Sequence, residues 1–101
     1  MILVADSGST KTDWRAIDAS GAVRGFSSAG INPVLMSPAE ISQLVSDKLL
    51  PALGSDVDEV WFYGAGVMSD EMASVVSGAI SGVFPKARCF AGSDMLGAAR
   101  S

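Results

Sequence analysis

The chain opens on a short apolar run, Ile2 to Ala5, of the length and composition of a buried strand. Small, hydroxyl-bearing and charged residues follow from Asp6 to Thr12, and KTDWRAID at 11–18 predicts a second strand. Ala19, Ser20 and Gly21 supply a turn, after which AVRGFSSAG at 22–30 predicts a third. The opening therefore reads as a meander rather than as a strand–helix–strand unit. A helical period appears only beyond it. Ser37 fits an N-cap, Pro38 the first helical position and Glu40 the far end of a capping box. Ile41, Leu44, Val45 and Leu49 then recur at helical spacing and make one apolar face, which Pro51 and Gly54 are expected to stop. EVWFYGAG at 59–66 is apolar throughout and predicts a fourth strand buried on both faces, with helices above and below it. Ser69 caps a second helix with the face Met72, Val75, Val76, Ile80 and Val83, and ARCFAG at 87–92 predicts a fifth strand. SDMLGAARS at 93–101 begins a third helix that meets no closing glycine or proline, so the chain reads as cut within it.

Composition narrows the class. At 101 residues, 49% of them hydrophobic, the chain can build one compact core. No repeat, low-complexity tract or linker divides it. Eleven acidic residues stand against seven basic ones, with no histidine, so there is no electropositive face for nucleic acid or for an anionic membrane. Cys89 is the lone cysteine, which excludes an internal disulfide and a four-cysteine metal site and fits a reducing compartment. It reads as a small apolar filler. No basic segment leads into a long apolar run, and nothing approaches the roughly 18 apolar residues of a membrane span. The expectation is a cytoplasmic, soluble protein.

The candidate chemistry sits between the first two strands. Triphosphates are held by converging backbone N–H groups, hydroxyl donors and a cation, and a carboxylate positions hydrated magnesium. Residues 6–12 supply all of these: Gly8 lets the backbone turn and come close, Ser9, Thr10 and Thr12 donate, Lys11 adds charge, and Asp6 stands at the strand end for the metal. A P-loop is excluded by spacing, because G-x-x-x-x-G-K-[ST] needs a second glycine beside the lysine, whereas only Ser9 and Thr10 separate Gly8 from Lys11. The grip is therefore expected from a β-hairpin.

Asp6-Ser7-Gly8-Ser9-Thr10-Lys11-Thr12 matches D-x-G-x-T-x-T in full and resembles the first phosphate motif of the actin-like ATPase superfamily, which includes sugar kinases and Hsp70-type chaperones. The element order also resembles that superfamily's ribonuclease-H-like lobe. The resemblance implies an α/β fold with a mixed five-stranded sheet of order 3-2-1-4-5 flanked by helices. Strands 1, 4 and 5 are then parallel, strand 2 is antiparallel to strand 1, and strand 3 lies at an edge. DSGSTKTDW, then GINP and GSD, most resemble the branch shared by N-acetylglucosamine kinases and BadF/BadG/BcrA/BcrD-type ATPases, over essentially the whole chain. Family members usually carry more glycine where Ser7 and Ser9 stand; serine keeps the backbone geometry if its φ is not positive.

By that resemblance Asn32 is a sugar-contacting asparagine and Asp94 the catalytic aspartate, also in contact with the sugar, while ATP and magnesium are the cofactors. A strand-end carboxylate suits this task, since phosphoryl transfer to an alcohol benefits from a group that orients the hydroxyl and accepts its proton. Plainer roles remain open beside these: a polar hairpin turn at 6–12, a loop residue before proline at Asn32, and a helix N-cap or first-turn acid at Asp94. Asp13 and Trp14 read as structural, and YGAG at 63–66 fits a ligand-facing loop or a strand-to-helix turn. The resemblance implies the N-terminal lobe of a kinase for an amino sugar such as N-acetylglucosamine, with a small-molecule sugar as partner, a homodimer left open, and the C-terminal lobe absent from residues 1–101. The alternatives are a BadF-type ATPase that activates a reductase or dehydratase, and a non-catalytic lone lobe.

Overall fold

The computed structural model describes residues 1–8, 10–54, 56–64, 67 and 69–93. In chain order they form β1 (Ile2–Ser7), β2 (Lys11–Ile17), β3 (Val23–Ala29), α1 (Pro38–Leu53), β4 (Glu59–Gly64), α2 (Asp70–Val83) and β5 (Arg88–Ser93). The sheet has the order β3-β2-β1-β4-β5. β2 runs antiparallel to both β1 and β3, whereas β1, β4 and β5 are parallel. This is the expected topology. The third helix expected from the sequence lies outside the described residues.

Alternation along the strands decides which face becomes core. Leu3 and Ala5 of β1, Trp14 and Ala16 of β2, Val60 and Phe62 of β4 and Ala91 of β5 point to one side and join a single cluster with Ile41, Val45 and Leu49 of α1 and Val76, Ala79 and Ile80 of α2. Both helices therefore stand on the same face of the sheet. They are clasped together where the Ser42 hydroxyl donates to the Ala79 carbonyl at 2.8 Å. β4 is for this reason not buried equally on its two sides: Val60, Phe62 and Gly64 are buried, but Glu59, Trp61 and Tyr63 are half-buried. An apolar run reads as two-sided burial, yet among the described residues only one face carries helices.

The helix starts follow their caps. Ser37 and Glu40 form the reciprocal capping box, with the Glu40 amide donating to Ser37 Oγ and the Ser37 amide to Glu40 Oε1. Ser69 accepts from the Met72 amide at the start of α2. Pro51 does not stop α1, which runs on to Leu53 and ends at Gly54, whose φ of 70° is a glycine conformation. Proline removes one N–H, the one that would meet the Asp47 carbonyl. Leu49 is buried and Leu50 and Leu53 pack on the core, which holds this last turn in place.

β2 ends at Ile17, one residue short of the expected strand, because Asp18 anchors the turn to β3. Its Oδ1 accepts from the Ser20 hydroxyl at 2.6 Å and from the Ser20 and Ala22 amides at 2.9 and 3.1 Å. Gly21, with φ of 88°, completes the turn.

Two measurements test this account. A Cβ added at Gly64 would lie 2.8 Å from Cε1 of the fully buried Phe62 ring. Gly64→Ala should therefore destabilise by about 1–3 kcal/mol, as overpacking does, read as a lower urea midpoint at unchanged slope; an unchanged midpoint would contradict the packing. The Ser20 hydroxyl, followed by the Ala22 and Ser20 amides, holds the Asp18 carboxyl below its ordinary value of 3.8. A depressed folded-state value stabilises the turn above the unfolded-state value and loses that contribution as pH falls through the folded one. The protection of the Ser20 and Ala22 amides relative to their intrinsic exchange rates should fall below pH 3.8, beyond the change at Trp14 in mid-strand, and Asp18→Asn should remove this extra response.

Candidate functional site

β1 delivers consecutive side chains to opposite faces of the sheet. Ser7 points under the helices and is 1% exposed, whereas Asp6 stands on the other face, open to solvent. The hairpin that follows is closed by the Gly8 amide donating to the Lys11 carbonyl at 2.9 Å. Gly8, Thr10 and Lys11 are exposed at its tip, while Ser9 lies outside the described residues. Gly8 does not need a left-handed φ, and an added Cβ would meet only Lys11 O at 3.7 Å. The turn itself therefore does not require glycine at this position.

The register of β1 on β2 pairs Asp6 with Asp13 and Ser7 with Thr12. Asp13 thereby joins Asp6 on the open face, with Lys11 Nζ 3.7 Å from Asp13 Oδ1. Like charges directly opposite each other across strands are destabilising without a compensating cation. The donors gathered here are hard oxygens, suited to magnesium that keeps most of its waters and is bound through one or two carboxylates together with phosphate. Asp13 reads in the sequence as structural. Counting back from a tight hairpin, Ser7 opposite Thr12 and so Asp6 opposite Asp13, is the signal that would have found it.

Thr12 differs from expectation. It is completely buried, and its hydroxyl lies 2.9 Å from Ser7 Oγ and 3.0 Å from the Ala29 carbonyl, donating its one proton within this pair of contacts. A side chain spent in this way cannot be a direct phosphate donor; it braces the hairpin from below. Ser7 also went unassigned in the sequence. Its φ is not positive, which is the condition for serine to replace glycine there.

The segment carrying Asn32 is attached to the same hairpin. Gly30 N–H donates to the Thr10 carbonyl at 3.2 Å and Ile31 N–H to Ser7 Oγ at 2.9 Å. Asn32 is half-buried and organises the turn beyond it: Oδ1 accepts from the Val34 amide at 2.9 Å, and its carbonyl accepts from the Leu35 and Met36 amides. Val34 and Leu35 are exposed.

Asp94 lies outside the described residues. Its neighbour Ser93 ends β5 in register with Gly64 of β4, which is in register with Ser7 of β1. Ala65 and Gly66 also lie outside them, and beyond them the Val67 amide donates back to the Gly64 carbonyl at 3.1 Å. The segments after β1, β4 and β5 thus leave one row at the carboxyl ends of three parallel strands, where open α/β sheets bind ligands. No protein-family model and no curated protein matches the sequence. A solved structure does: a Porphyromonas gingivalis protein described as a candidate N-acetylglucosamine kinase is 39% identical, with a TM-score of 0.87 over 99% of this chain.

The fold is that of a ribonuclease-H-like lobe. The lobe spans 36% of that neighbour's length, so it corresponds to a part of it. Trp14, assigned to structure from the sequence, lies in the lobe's core at 1% exposure and donates from Nε1 to Ser28 Oγ at 2.9 Å. Cys89 is half-buried beside the core, and burial raises its thiol pKa, consistent with a packing role. Among the described residues no helix is long and apolar enough to cross a membrane.

Proposed function

We propose that the chain is the N-terminal lobe of an ATP-dependent kinase that phosphorylates an amino sugar such as N-acetylglucosamine. The observation that carries this reading is the neighbour described as a candidate N-acetylglucosamine kinase, alike in sequence and fold across 99% of this chain. Asp6, Gly8, Thr10 and Lys11, exposed around the hairpin, add a site of the right chemistry. A BadF-type ATPase and a non-catalytic lobe have no comparable observation in their favour.

In this reading Gly8, Ser9, Thr10 and Lys11 hold the phosphates from one side, and Asp6, with Asp13 beside it, holds hydrated magnesium through water. The ion would offset the negative charge of the phosphates. Asn32 uses Oδ1 within its own turn, which leaves its Nδ2 protons for a sugar oxygen. Asp94 accepts the proton of the sugar hydroxyl as that oxygen bonds to the γ-phosphorus and the bond from phosphorus to the ADP oxygen breaks. Thr12 and Ser7 lie behind the hairpin and do not touch the substrates. The opposing wall of the nucleotide pocket comes from the rest of the kinase.

In the intact protein Asp6→Ala should lower kcat/KM for Mg-ATP by about 10²–10³, the scale for losing one preorganised electrostatic group, while the sugar dissociation constant measured without nucleotide changes little. Unchanged ATP kinetics would remove Asp6 from the metal role. Asp94→Asn should lower kcat by roughly 10²–10⁴, the span for a positioned base. Full activity in that variant would move the base elsewhere, and failure of the wild-type protein to phosphorylate any amino sugar would overturn the kinase reading.

A further inference from the structure

The Asn32 loop is drawn back across the base of the phosphate hairpin by a pair of buried hydroxyls. β3 neighbours β2 and not β1, yet Ile31, two residues beyond the end of β3, reaches past β2 to bond Ser7 of β1. The Ile31 amide donates to Ser7 Oγ at 2.9 Å, and Ser7 Oγ donates back to the Ile31 carbonyl at 3.3 Å. Thr12 Oγ1 joins the same knot, 2.9 Å from Ser7 Oγ and 3.0 Å from the Ala29 carbonyl. Ser7, Thr12 and Ile31 are each 0–1% exposed. Buried hydroxyls cost free energy unless bonded, and here no buried side-chain polar atom among the described residues lacks a partner. Each link joins chemistry at one end to chemistry at the other. Ser7 follows Asp6 and precedes Gly8, Thr12 follows Lys11, and Ile31 precedes Asn32. The Gly30 amide on the Thr10 carbonyl adds a main-chain link between the same two segments.

We propose that Ser7 and Thr12 are positioning residues that hold the Asn32 loop in a set place against the phosphate hairpin, so that the sugar and nucleotide sites are built and ordered as one unit. The proposal rests on the kinase reading for the identity of the two ligands. In-line transfer requires the acceptor hydroxyl close to the phosphorus, and a displacement of about 1 Å arising away from the chemistry can cost on the order of 10²-fold in rate. A loop hung from the hairpin by hydroxyl bonds translates any shift of the phosphate grip into a shift of the sugar contact. Packing alone would not require hydroxyls at these two positions.

The test uses the intact kinase with Ser7→Ala, Thr12→Val and Thr12→Ser, each studied well below its melting temperature. In the wild type, a non-hydrolysable ATP analogue with magnesium should slow amide exchange at Ile31, Val34, Leu35 and Met36. Ser7→Ala and Thr12→Val should bind the analogue within about threefold of wild type and lose this response. They should also raise the sugar KM or lower kcat by about 10- to 100-fold, with little change in the ATP KM. Thr12→Ser, which keeps the hydroxyl, should restore both readouts, and the double variant should be less than additive because the two hydroxyls act in one network. Lower melting temperatures with unchanged kinetics and an intact exchange response would reduce the pair to packing and overturn the proposal. An analogue that binds wild type without slowing exchange in the loop would overturn it too. If the analogue binds and no amino sugar is phosphorylated, the kinase reading fails while exchange still decides the coupling. If the analogue does not bind, both fall.

Discussion

Everything at the candidate site depends on the register of β1 against β2. With Asp6 opposite Asp13 and Ser7 opposite Thr12, the two-residue period of a strand sends the first pair to solvent and the second beneath the helices. A slip of one residue would reverse this, pushing a carboxylate into the core and a bracing hydroxyl into water. The register is held farther along the same strands, where Ala5 faces Trp14 and Leu3 faces Ala16 on the helix-covered side. Burying a large apolar side chain contributes about 1.5–3 kcal/mol, so a slip that exposed Leu3 and Trp14 would lose several such increments. Trp14 is fixed further by its bond to Ser28 and by the tilted contact with Phe62 at 6.2 Å.

The sheet divides the lobe into two environments. One face is dry, tightly packed and covered by α1 and α2. The other carries Asp6, Lys11 and Asp13 near the hairpin, and an aromatic group in which Phe90 lies 5.2 Å from Trp61 and 6.2 Å from Tyr63. Charge at the site can therefore change with little effect on the core, because the groups that carry it are exposed and weakly coupled to packing. The Ser7–Thr12 pair is the exception. It is buried like core yet joined to both segments of the site, so the hairpin's shape and the placement of Asn32 answer to the same bonds.

Much of this was legible from local pattern. The order of the elements, the box at Ser37 and Glu40, the cap at Ser69 and the full D-x-G-x-T-x-T run are visible because each depends on residues a few positions apart. The same reasoning misread three places. Pro51 looked like a stop, but the burial of Leu49 and the packing of Leu53 outweigh one missing hydrogen bond. The apolar stretch of β4 looked buried on both sides, although its alternate residues Glu59, Trp61 and Tyr63 keep partial exposure. Thr12 looked like a phosphate donor because its residue type fits, while its direction follows from strand pairing.

The sequence by itself determined that a hairpin rich in hydroxyls and charge follows the first strand and that two capped amphipathic helices come after the meander. Those features rest on propensity, capping and periodicity, which act within a turn or two of the chain. Only the tertiary structure decided that Asp13 stands with Asp6, that Thr12 turns inward, and that Ser7 bonds a residue 24 positions away. Such contacts are set by how strands align and by where the chain runs after β3, and both are fixed by the packing of the whole sheet on its helices.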